Sequence, residues 1–105
     1  MSQFTVYQNP NTKSRKAYPY LLDVQHSVIE DLSTRLVIPL GRLSDFRDEQ
    51  MKTLSPIVEY NNEQLVLLTA QLTSIPAHLL KRPVGSLSTM RTEIVAAIDF
   101  AITGI

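Results

Sequence analysis

In the first half of the chain apolar and polar residues alternate in strand fashion with a period of two; near the C-terminus the period lengthens to four. A period of two puts successive side chains on opposite faces of a strand, whereas a period near 3.6 gathers them on one stripe of a helix. Phe4 and Val6 share one face of a first strand, with Thr5 and Tyr7 on the other. Asn9 to Lys16, with Pro10 and several polar residues, reads as a loop. A second strand is predicted from about Tyr18 to Gln25, with Tyr20, Leu22 and Val24 inward. A third follows from about Thr34 to Leu40, where Leu36, Ile38 and Leu40 point one way. Pro39 has no N–H for a ladder, so this strand is expected to end near it, bulge there or lie at an edge.

Gly41 to Lys52 is polar and charged and reads as a long loop with a helical turn. Ile57 to Tyr60 and Glu63 to Thr69 are predicted strands joined by Asn61-Asn62, and Asn tolerates the positive φ of a two-residue hairpin turn. Leu65 to Leu68 is continuously apolar, as in a strand buried on both faces. A short strand near Gln71 to Ile75 stops at Pro76. Met90, Ile94, Ile98 and Ile102 then recur every four residues, with Ala97 and Ala101 on the same side, which predicts an amphipathic helix from about Ser88 to Ile102. Ser86 or Ser88 is placed to cap its start, and Gly104 to end it in the left-handed conformation. Five or more antiparallel strands with one terminal helix imply a mainly β fold: a small barrel or sheet with a helix packed on it. Neither a repeat nor a linker interrupts residues 1–105, which read as a single domain.

Composition sharpens this picture in three ways. Apolar residues make up 44% and charged residues only 19%, which leaves more apolar surface than a small monomer readily hides and makes an oligomer plausible. Ten basic and ten acidic residues cancel, whereas a direct nucleic-acid binder usually shows a basic excess. The one basic cluster, Lys13, Arg15 and Lys16, reads as part of a solvated loop. Without cysteine there are no disulfides or thiolate metal sites. The chain has neither a membrane-spanning apolar run nor the order of a signal peptide, so a cytoplasmic protein is expected.

Candidate chemistry is sparse. His26 and His78 lie far apart, neither at a ligand spacing with another His or a carboxylate, so no metal or cofactor is implied. Glu30-Asp31 and Asp48-Glu49 are sequence neighbours, the pattern of solvated loops. Asp23 interrupts an apolar strand and is expected on the outer face, paired with a neighbouring strand. The C-terminus is more unusual: the helix runs nearly to the chain end and finishes Ala101-Ile102-Thr103-Gly104-Ile105, with no polar tail. Either Ile105 folds back on Phe100 in a Schellman ending, or an apolar residue at the tip of a rigid helix anchors a partner.

Several stretches, in order, resemble the CcdB toxin family of toxin–antitoxin pairs: Phe4 to Tyr7, Asp23-Val24-Gln25, Arg35 to Leu40, Ser74-Ile75-Pro76, and the helix with Ala97-Ile98 and the final Gly104-Ile105. The resemblance implies a small SH3-like barrel of antiparallel strands with an extra small sheet and a C-terminal helix, forming a two-fold homodimer. It implies binding to the A subunit of DNA gyrase, trapping of the gyrase–cleaved DNA complex without bond chemistry, and neutralisation by a CcdA-like antitoxin. Operator DNA would be reached only indirectly, through that antitoxin. By position, the gyrase-binding candidates are Ile102, Thr103, Gly104 and Ile105, with Asp99 one turn earlier and the pair Val28 and Ile29 after the second strand. The chain departs from the family where Thr103 replaces a Trp and Asp99 an uncharged polar residue. Losing a Trp anchor costs about 2–4 kcal/mol of binding, roughly 30- to 900-fold. The alternative is an endoribonuclease of the MazF/Kid type, which shares this fold but requires a convergent acid, base and basic group.

Overall fold

The computed structural model describes residues 2–26 and 32–104. Its strands are Thr5–Gln8 (β1), Tyr20–Asp23 (β2), Thr34–Arg42 (β3), Ile57–Tyr60 (β4), Glu63–Leu67 (β5), Thr73–Pro76 (β6) and Pro83–Ser86 (β7), with helices at Leu43–Phe46 (α1) and Arg91–Thr103 (α2). All pairings are antiparallel, in the order β4-β5-β3-β2-β1-β7, and β6 branches off as a second partner of β3. The sheet curls. The hydroxyl of Tyr60, on the strand at one end, donates to the carbonyl of Val84, on the strand at the other. A Cβ on Gly85 would meet that hydroxyl at 2.2 Å, so only glycine lets the two ends approach. The result is a mainly β, SH3-like half-barrel of one seven-stranded sheet; the expected extra small sheet is present only as β6, a branch on the outer stretch of β3.

Asn61 and Asn62 take φ of 54° and 62° and close the β4–β5 hairpin as the sequence predicts. Leu65 to Leu68 are all buried. The segment after Gly41 is a continuation of β3 to Arg42 followed by α1 and a 3-10 turn at Arg47–Glu49.

One expectation about β3 fails for an identifiable reason. The strand neither ends nor lies at an edge at Pro39: it runs on to Arg42 and pairs with β2 from Val37 to Leu40, Leu21 opposite Pro39. On its other side β3 pairs with β6 up to Val37 and with β5 from Leu40, so Pro39 falls at the changeover and its missing N–H interrupts neither ladder. Leu36 is 40% exposed, although Ile38 and Leu40 on its face are buried, because the main core does not extend that far along the strand. The strand β7 shows little alternation, with Pro83 and Gly85 in a four-residue stretch, and sequence periodicity does not reveal it.

The main core lies between the sheet and α2, built from Phe4, Val6, Leu22, Ile38, Leu40, Leu65 and Leu67 with Ile94 and Ala97 of the helix. A second, smaller cluster of Tyr7, Val37 and Leu80, with Leu21 and Ile75 against it, covers the opposite face. The central strands are therefore buried on both sides.

Candidate functional site

The apolar stripe of α2 is used in two ways. Ile94 and Ala97 are fully buried, Val95 and Ile98 are partly covered, and Ile102 is 70% exposed. Period and residue type hold along the helix while the surface beneath it runs out. Phe100, Ala101 and Ile102 border an open crevice of about 460 Å³ whose far wall includes Leu54, Ala70 and Leu72. Among the described residues no side chain caps the N-terminus of α2 or of the 3-10 turn Ser88–Met90 that leads into it; the Ser86 hydroxyl accepts the N–H of Ser88 at 3.1 Å just before that turn.

The far end carries a glycine cap. Gly104 adopts φ 75°, and its N–H donates to the Phe100 carbonyl at 2.9 Å, closing the last turn. Among the described residues nothing lies within 4 Å of a Cβ built on Gly104, so backbone conformation rather than space calls for glycine here. Thr103 turns its hydroxyl back along the helix to donate to the Asp99 carbonyl at 2.6 Å. Of the sequence candidates, Asp99, Ile102, Thr103 and Gly104 thus come together, all exposed, on the terminal turns of α2. Val28, Ile29 and Ile105 lie outside the described residues, as does the predicted contact of Ile105 with Phe100.

Asp23 is not on an outer face. It is fully buried, and its carboxylate accepts from Arg35 Nε at 3.0 Å and Nη2 at 2.8 Å and from the Gln25 N–H at 3.0 Å. The expectation of a cross-strand partner holds, since Arg35 stands on β3; the expectation of exposure fails because the second core cluster covers that side. Burial pushes the Asp23 carboxyl above its ordinary range, against the pull of the Arg35 and Gln25 hydrogen bonds. Tyr7 is likewise raised, first by burial and then by the nearby Asp23 charge. Arg35 is the residue that sequence reading passed over. The signal was there, because Arg35 and Val37 alternate onto one face of a strand whose other face is also apolar. His26 and His78 are both exposed, and Asp48 and Glu49 sit on an exposed 3-10 turn. Among the described residues no group of three or more His, Asp or Glu could hold a metal ion.

The family model described as CcdB protein matches residues 3–104, nearly the full length. The half-barrel and the terminal helix agree with that match, and no helix among the described residues is long and apolar enough to cross a membrane. The chain belongs to the CcdB family, the toxins of toxin–antitoxin systems.

Proposed function

We propose that this protein is a DNA gyrase poison that acts by binding, with the end of α2 as its anchor. The observation that carries the reading is Ile102: a large aliphatic side chain, 70% exposed, on a helix end closed by the Gly104 cap. Water contact at such a side chain is unfavourable by about 25 cal/mol per Å², and a partner's pocket recovers that term without reordering the helix. Asp99, Thr103, Gly104 and Ile105 complete the surface, with Val28 and Ile29 as a second apolar contact. The target is the A subunit of gyrase, and binding selectively stabilises the complex in which DNA is cut and not resealed.

The protein works as a homodimer whose two-fold axis presents both helix ends together. Apolar side chains left exposed elsewhere, among them Leu32, Leu36 and Met51, support an assembly larger than one chain. A CcdA-like antitoxin with a segment that folds on binding neutralises it in the cytoplasm, and the pair regulates its own promoter. The burial of Asp23 and Arg35 supports binding over RNA cleavage, since the pair closest to an acid–base set offers no surface to a scissile phosphate.

The test is a cleavage assay with gyrase, supercoiled DNA and ATP. Linear DNA should accumulate with the full chain and vanish when Gly104 and Ile105 are deleted, with the truncated protein still folded by circular dichroism. Absence of linear DNA at any toxin concentration would overturn the reading.

A further inference from the structure

A formal net charge of zero conceals an uneven distribution. Arg15, from the loop after β1, meets Lys81 and Arg82, from the segment before β7, around an open pocket of about 480 Å³ that Gln8 and Thr12 also line. None of its lining residues is acidic, and none of the three cations forms an ion pair among the described residues. The two segments are fixed before any ligand arrives. Arg15 Nε donates to the Asn9 carbonyl at 2.8 Å, and Asn9 itself, nearly buried, ties the loop together through Tyr18 and Ser14. The Arg82 carbonyl accepts the Gln8 N–H at 3.0 Å, which fastens the other segment to the end of β1.

The chemistry of the lining narrows the ligand. Two guanidiniums, an ammonium, a hydroxyl and an amide offer many donors, whereas the nearby backbone is already committed: the Asn9 and Arg82 carbonyls are taken, the Lys81 N–H donates to Leu79, and residue 83 is proline. An added peptide strand would find no ladder there. Phosphodiester oxygens accept only and need no ladder. Among the described residues no aromatic ring lines the pocket on which an unpaired base would stack, which points away from single strands and towards a duplex.

We propose that Arg15, Lys81 and Arg82 form a contact site for the phosphate backbone of duplex DNA, so that the toxin touches DNA directly and without base specificity. Neutral net charge argues against a strongly basic binder, not against a local site of three cations, because affinity follows the phosphates engaged. The site is separate from the helix end, and its test does not involve gyrase. Fluorescence anisotropy of a short labelled duplex of arbitrary sequence, titrated with the full-length protein, would be followed from about 20 to about 200 mM KCl. Three engaged phosphates give a slope of log K against log salt of about −2.7. The double variant K81Q/R82Q should lower the slope to about −0.9 and weaken binding at low salt at least about tenfold. The control R47Q/R91Q removes the same charge from exposed positions elsewhere and should bind within about twofold of the parent chain, thermal unfolding showing both variants folded. Equal losses in the two variants would reduce the effect to net charge and overturn the site. So would absence of duplex binding at the lowest salt, or binding of single-stranded RNA or an acidic peptide in preference to the duplex.

Discussion

Two regions of this small protein invert the usual rule of apolar inside and charged outside, in opposite senses. Behind the sheet, Arg35 and Asp23 are completely buried; at the end of α2, Ile102 stands in water. The first inversion is compensated within the chain. The charges neutralise each other, and the Asp23 carboxylate and the Gln25 carbonyl accept from Arg35, although its Nη1 finds no partner. The second has no compensation within the described residues. Isolated charges cannot survive burial, so the interior must solve that problem itself. An exposed isoleucine costs far less, and a fold carries it readily when something outside covers it. The difference separates residues that belong to the fold from residues that belong to a partner.

That separation predicts a ranked series of effects. Arg35→Met strands a buried carboxylate and should cost about 3–5 kcal/mol in urea unfolding, whereas the double replacement R35M/D23L should recover most of it. Ile94→Ala, one helical face with Ile102 but inside the core, should cost about 3 kcal/mol by the same measurement. Gly104→Ala must hold alanine at φ 75° and should cost about 1 kcal/mol, lowering the thermal midpoint by a few degrees. Ile102→Ser should change stability by less than about 0.5 kcal/mol. A large loss there would mean that the helix tip is part of the core and would erase the contrast.

How legible these regions were from sequence differs for physical reasons. The Asn61-Asn62 hairpin, the continuous Leu65–Leu68 strand and the helix period are local signals, and local conformation obeys them. Burial of Asp23 depends on a second layer formed by Val37, Ile75 and Leu80, residues far from it in the chain, so the strand period alone could not choose between an outer face and an inner one. Pro39 misled in the same way: its cost depends on which strand lies opposite, and that is set by where β6 gives way to β5. The helix stripe was readable as amphipathic, but where its burial ends depends on the extent of the sheet beneath. The apolar chain end was visible without any fold, and the family resemblance gave it a role. Arg15, Lys81 and Arg82 come from segments some 65 positions apart in the chain, and only the end of β1 brings them together.

The most direct test of the central claim pairs two readouts on one substitution. Ile102→Ser would be compared with the parent chain by thermal unfolding and by the toxin concentration that half-maximally converts supercoiled DNA to linear DNA with gyrase. The account predicts an unchanged midpoint and at least a tenfold higher concentration, about 1.4 kcal/mol of lost binding. An equal concentration with an equal midpoint would place the anchor elsewhere and contradict the assignment of the helix end.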